Sequence, residues 1–357
     1  MHRGRFAAFM RCVAARGPRS IAISILITGA AGFIGAAVAA ALLRRGEGIV
    51  GVDCLLPYYD VGLKRDRLAH LATIAAESGA TFHDLCVDFA DSDRLAEALA
   101  PHAFGAIVHL GAQPGVRWSI DHPADYGRSN LVGHLNMLEV ARRRAVPMVY
   151  ASSSSVYGGN TRLPFSVDDR TDRPISLYAA TKKADELMSE SYAHLYRIPL
   201  TGLRFFTVYG PWGRPDMAVW QFTESCLSGR PVRIFNHGHM RRDFTFIDDI
   251  VAGVVACLDR PPADDGREKP GGSRAPHALY NIGNNRSEEL MRLVEIIEQA
   301  CGQPLRREYA PLQPGDVTDT YADISAIAAD HGFAPTTPID VGVPRFVSWY
   351  RGWRGMA

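Results

Sequence analysis

Tyr178 and Lys182, in the segment YAATKK, stand four residues apart, one helical turn, so both side chains share a face. A free phenol titrates at about 10, too high for a base at neutral pH, but a neighbouring ammonium stabilises the phenolate and makes a proton acceptor of it. A Tyr and a Lys at this spacing also occur by chance in many helices, so the pair takes its meaning from its surroundings. Upstream, the apolar run PMVYAS (147–152) ends in a row of hydroxyls, Ser152 to Ser155, with no acid among them.

The segment TGAAGFIG (28–35) follows an apolar run and opens a helix-like stretch. Its GxxGxxG spacing, through Gly29, Gly32 and Gly35 with Phe33 and Ile34 between them, suits a tight turn. Such a turn lets backbone N–H groups and a helix N-terminus approach a pyrophosphate. Alone, it is also compatible with mere close packing. Asp53, at the end of the second apolar run, changes the balance: an acid there accepts hydrogen bonds from both ribose hydroxyls and repels a 2′-phosphate, favouring NAD over NADP. Asp88 closes the third run, where it either meets the adenine or is a surface turn acid. With NAD present, the positive nicotinamide joins Lys182 in stabilising a Tyr178 phenolate.

These residues need a scaffold that brings strand ends together. Short apolar runs, at 23–28, 48–53, 81–88, 106–111, 147–152 and 199–206, alternate with helix-like spacing at 33–45, 91–99, 129–144 and 178–196. That rhythm predicts an α/β fold, a doubly wound parallel sheet of the Rossmann kind. The reading places a nucleotide-binding domain at 21–206, with segments near 236–258 returning to it, and a smaller, mainly substrate-binding C-terminal domain at 207–357. Pro, Gly and charge mark 260–276 as an exposed loop.

Composition narrows the function. The chain has 357 residues and a formal net charge of +1, with basic residues spread along it, which excludes nucleic acid as the expected partner. The six cysteines, Cys12, Cys54, Cys86, Cys226, Cys257 and Cys301, form no CxxC pair and no ligand spacing, so reduced thiols in a cytoplasm and no metal site are expected. Residues 21–43 carry no charge, long enough for a membrane span, but three spaced glycines suit a strand, turn and helix better. Residues 1–20 hold five arginines and no acid; lacking an apolar signal core, they read as a disordered tail or an over-long start.

Longer matches carry a resemblance: PYYDVGLKRDRL (57–68), GAQPGVRWSIDHP (111–123), SNLVGHLNMLE (129–139), RFFTVYGPWGRPDM (204–217), NHGHMRRDFTFIDDI (236–250) and QPGDVTDTYAD (313–323). From about 21 to 350 the chain resembles the extended short-chain dehydrogenase/reductases, in the nucleotide-sugar epimerase and dehydratase group, and within it most closely the UDP-glucuronate 4-epimerases. The resemblance implies that Ser153, four residues before the tyrosine of VYG, acts with Tyr178 and Lys182, and that Lys182 also holds the nicotinamide ribose. It implies oxidation at the sugar C4 by tightly held NAD and return of hydride to the opposite face. Related dehydratases and UDP-glucuronate decarboxylases carry an acid just after the catalytic Ser/Thr; here Ser154 and Ser155 stand there, which argues against both reactions. By the same resemblance Thr207, Arg214, Ser154 and Ser155 surround the sugar carboxylate, for which Arg supplies a matching planar fork. Arg242 matches an arginine that contacts the UDP phosphates, whereas Gln313 stands where some epimerases have another arginine. His109 reads as packed beside the cofactor rather than catalytic, and Gly111 as a small departure from the usual Ala.

The leading expectation is therefore C4 epimerisation of UDP-glucuronate. A neutral UDP-hexose 4-epimerase is second, opposed by Thr207 and Arg214; a decarboxylase is third; a non-catalytic NAD sensor would have no need to keep Ser153, Tyr178 and Lys182 together. The resemblance also implies a homodimer through helices at about 123–144 and 178–196, whose apolar faces permit it.

Overall fold

The computed structural model describes residues 24–313 and 316–356; the tail expected at 1–20 lies outside the described residues. Apolar runs become parallel strands, the central ones buried between helices on both faces and the edge strand at 82–85 only partly covered. They are β1 (Ser24–Thr28), β2 (Ile49–Val52), β3 (Phe82–Leu85), β4 (Phe104–His109), β5 (Met148–Ser153) and β6 (Leu200–Phe205). Short strands β7 (Thr207–Tyr209), β8 (Val232–Ile234), β9 (Arg241–Arg242) and β10 (Phe244–Phe246) follow, and β11 (His277–Ile282) returns to the main sheet. Its seven strands run in the order β11-β6-β5-β4-β1-β2-β3, all parallel. The order reverses at β1, between β4 and β2, and ligands of such sheets bind beyond the carboxyl ends of the strands at that point.

β11 was not among the apolar runs. It is wholly buried, but it holds two polar residues: His277 bonds Tyr150 Oη at 2.8 Å, and Asn281 donates to the carbonyls of Phe165 at 2.7 Å and Asp323 at 3.0 Å. Buried polar groups satisfied in this way are tolerated in a core, yet they interrupt the pattern that announces a strand. β3 is also shorter than its run, so Asp88 does not close it but lies in the turn three residues beyond Leu85.

The helices Phe33–Arg44, Ser92–Leu99 and Leu177–Tyr196 stand where apolar spacing put them. The helical run at 129–144 opens as a π-helical stretch, Gly127–Val132, before the α-helix Gly133–Arg144. An 18-residue helix, Val61–Ser78, has no counterpart in the sequence reading. Its buried face is Leu63, Lys64, Arg67, Leu68, Leu71, Ile74 and Ala75, a helical repeat whose first turns carry two cations in place of apolar residues. Asp60 caps it, accepting from Gly62 N–H at 2.8 Å; a cap of this kind contributes about 1 kcal/mol. No described helix is long and apolar enough to cross a membrane.

Candidate active site

A cavity of about 440 Å³ opens at the carboxyl ends of the central strands, and every residue singled out as a candidate lines it: Gly29, Gly32, Phe33, Ile34, Gly35, Asp53, Asp88, Ser153, Ser154, Ser155, Tyr178, Lys182, Thr207, Arg214 and Arg242. Two glycines show why the turn after β1 must be bare. A Cβ on Gly29 would lie 2.8 Å from the backbone nitrogen of Gly111, and one on Gly35 would lie 2.0 Å from the Gly29 carbonyl oxygen. The helix beginning at Phe33 has no side-chain cap and no acid in its first turn, so its N-terminal N–H groups are available to an anion. Asp53 Oδ2 accepts from Ala31 N–H at 3.2 Å and Oδ1 from Leu55 N–H at 2.8 Å. Lys64 Nζ stands 3.6 Å from the same carboxylate, a cation that sequence reasoning did not select. Asp88 accepts from Ala90 N–H at 2.8 Å and pairs with Arg128 at 2.7 Å.

The serines separate by their partners. Ser152 turns into the core and donates to Glu186 Oε1 at 2.7 Å, so it belongs to the scaffold. Ser153 and Ser155 share a hydrogen bond of 2.6 Å between their hydroxyls, in the tight turn Ser154–Tyr157 that ends β5. Across the cavity, Ser176 caps the helix Leu177–Tyr196 by accepting from Ala179 N–H at 3.1 Å. The cap places Tyr178 and Lys182 in the first two turns, where the helix crosses the end of β5. Lys182 Nζ is buried and donates to the Ala151 carbonyl at 3.0 Å and to Asp185 Oδ2 at 3.1 Å, leaving its third N–H for the cavity. His109, bonded to Thr28 Oγ1 at 2.6 Å, is pushed down to about 3, first by burial and then by the charge of Lys182. It is neutral near pH 7 and holds the end of β4 to the glycine turn.

Asp185 was missed by sequence reasoning. It is fully buried, its Oδ1 has no hydrogen-bond partner, and burial raises it to about 7 against the opposing pull of Lys182. A carboxyl raised in the folded state contributes stability that is full below its unfolded value and is lost as pH rises through the folded value. The window here runs from about pH 4 to about pH 7. Asp185→Asn removes that titration, so the variant's stability relative to the parent should rise as the pH is raised from 4.5 to 7.5. Urea denaturation at the two pH values checks it, and a difference that does not change with pH refutes it.

The far wall joins Arg214, Asp216 and Arg242 from the second half of the chain to Tyr58 and Arg117 from the first. Arg214 Nε donates to Asp216 Oδ1 at 3.0 Å, and Tyr58 Oη donates to Asp216 Oδ2 at 3.2 Å. Burial opposes the charge of Arg214, but the adjacent Asp216 outweighs it and holds the guanidinium above its ordinary value. Arg242 donates to the carbonyls of Val317 and Thr318, and burial lowers it. Arg117, quoted only within a motif match and given no role there, pairs with Asp316 at 2.7 Å; these partners are 199 residues apart, and no local pattern links them. Among the described residues no group of His, Cys, Asp and Glu is arranged to hold a metal ion.

The cavity brings a phenol and an ammonium, groups suited to proton transfer, together with a guanidinium suited to an anionic group. A model of the NAD dependent epimerase/dehydratase family matches residues 25–283. Protein CapI of Staphylococcus aureus is 47% identical over 335 residues, spanning 92% of this chain and 98% of its own. The probable UDP-glucuronate 4-epimerase of Rhizobium meliloti (strain 1021) is 46% identical over 332 residues, 91% of this chain and 96% of its own. Among solved structures, the UDP-glucuronic acid 4-epimerase from Bacillus cereus, in complex with UDP-glucuronic acid and NAD, superposes with a TM-score of 0.81 at 30% identity, covering 93% of this chain and 100% of that one.

Proposed function

The chain belongs to the NAD dependent epimerase/dehydratase family, and from that premise we propose that it interconverts UDP-glucuronate and UDP-galacturonate at C4. The observation that carries this reading is the meeting, in one cavity, of Tyr178 and Lys182 with Thr207, Arg214, Ser154 and Ser155, with no acid beside Ser153.

The cavity fits NAD: the bare turn at Gly29 and Gly35, the uncapped helix behind it and Asp53 would hold the pyrophosphate and adenosine ribose, and Lys182 the nicotinamide ribose. When bound, NAD supplies a redox partner that takes up and returns the C4 hydrogen. Tyr178 accepts the proton of the 4-hydroxyl and later gives it back. Lys182, held by Ala151 and Asp185, aims its remaining charge at the phenolate, and Ser153 steadies the same hydroxyl. Arg242 approaches the diphosphate.

The oxidised uronate is a β-keto acid and loses carbon dioxide readily. Arg214, Thr207, Ser154 and Ser155 hold its carboxylate, and none of them is the carboxylic acid that related decarboxylases place after the catalytic Ser/Thr. In the structure Asp216 occupies the Arg214 fork, so a sugar carboxylate must compete with it or join it. Arg214→Ala should therefore weaken use of UDP-glucuronate by well over tenfold while NAD stays bound; unchanged turnover would remove the assignment.

The deciding experiment is NMR of UDP-glucuronate incubated with the purified protein and no added NAD. Equilibration with UDP-galacturonate without carbon dioxide release supports the proposal and a retained cofactor. A pentose product, or turnover only of neutral UDP-hexoses, overturns it. Dimerisation is part of the proposal: Val132, Leu135, Leu187 and Leu195, on the two expected helices, are exposed apolar side chains, which a second copy would cover. So is a cytoplasmic setting, which suits the free cysteines Cys54, Cys86, Cys226, Cys257 and Cys301.

A further inference from the structure

Arg67 projects inward from the helix Val61–Ser78 and is 1% exposed. Among the described residues no carboxylate pairs with it; its guanidinium is surrounded by neutral oxygens. Nη1 donates to the Ala31 carbonyl at 2.9 Å and to Tyr59 Oη at 2.6 Å. Nε and Nη2 both reach the Trp212 carbonyl, at 3.1 and 2.7 Å, and Nη2 also reaches the Gly213 carbonyl at 2.9 Å. A buried cation without a counter-ion is costly, so its carbonyl partners must be held in place to offset the loss of water. Those partners lie in two functional segments: Ala31 is in the glycine turn, and Trp212 and Gly213 immediately precede Arg214. Trp212 itself has φ +64°, a left-handed conformation unfavourable for a bulky residue, and its own carbonyl and that of Gly213 converge on the one guanidinium.

We propose that Arg67 is a specificity-determining positioning residue: it ties the loop that carries Arg214 to the cofactor turn, so that Arg214 meets the sugar carboxylate only in the register that the turn defines. The inference rests on Arg214 reading the uronate. Lysine, a point charge, cannot span acceptors that a planar fork reaches on opposite sides.

The test compares parent, Arg67→Lys and Arg214→Ala, each purified with its NAD, for affinity towards UDP-glucuronate and UDP-glucose by calorimetry. Arg67→Lys should keep its NAD content, lose at least about tenfold in UDP-glucuronate affinity and change less than about twofold towards UDP-glucose. If Arg214→Ala leaves UDP-glucuronate affinity unchanged, the uronate reading falls and this inference with it. If Arg214→Ala weakens that affinity while Arg67→Lys weakens neither sugar, or both equally, only the Arg67 inference is overturned. Should Arg67→Lys not fold, hydrogen exchange on the parent decides. Stripping NAD should speed exchange in 210–217 at least fivefold with the central strands still protected, and unchanged exchange there refutes the coupling.

Discussion

Tyr178→Phe should leave a folded protein that keeps its NAD and turns over UDP-glucuronate about 10³-fold more slowly, within the range expected when a general base is removed. The fold has little stake in the hydroxyl. The ring packs edge-on against Tyr126 at 6.0 Å, a contact that phenylalanine keeps, and the helix start depends on Ser176 rather than on the phenol. The substrate proton, by contrast, has nowhere else to go on that side of the cavity. His109 is sequestered by Thr28, and Ser153 and Ser155 have alcohol-like acidity and hydrogen-bond to each other. The measurement is NMR turnover together with the NAD released on denaturation. Activity within tenfold of the parent would mean that another group accepts the proton; loss of NAD would mean that the phenol is structural.

The second large effect is on stability. Arg204 and Glu186 form a two-pronged pair, Nε to Oε1 at 2.8 Å and Nη2 to Oε2 at 3.0 Å, with side chains 2% and 1% exposed. Burial pushes the Glu186 carboxyl upward, but Arg204 outweighs it and leaves the group below the usual carboxylate range, hence charged. The pair joins β6 to the helix bearing Tyr178 and Lys182, and Ser152 extends it to the end of β5. Removing one partner strands a charge in the core, for which the expected cost is about 3–5 kcal/mol. Arg204→Met should show that loss in urea denaturation. The double variant with Glu186→Leu should recover much of it, since two well-packed apolar side chains can replace a buried pair. A single variant within about 1 kcal/mol of the parent would mean that water or Lys183, 3.1 Å from Glu186 Oε2, already compensates the charge.

Residue order alone encodes what short-range geometry can express. Apolar runs covered on both sides announce parallel strands, three glycines at a fixed interval announce a turn against a helix end, and Tyr178 and Lys182 share a face because the helix repeat puts them there. The candidate residues could be listed from such signals and from the long motif matches. Partners far apart in the chain become visible only once it is folded. The four serines are alike in sequence; Ser152 is structural because Glu186, 34 residues away, is waiting in the core. Lys64 and Arg67 stand where the buried face of a helix would carry apolar residues, and the carbonyls that hold Arg67 come from residue 31 and from residues 212 and 213, which no local pattern reveals. Nothing in the sequence around Asp185 distinguishes it; its burial appears only when the helix is packed against the sheet and water is excluded. Local periodicity records which way a side chain points from its own backbone, whereas its charge, its partners and its task depend on what the fold brings to meet it.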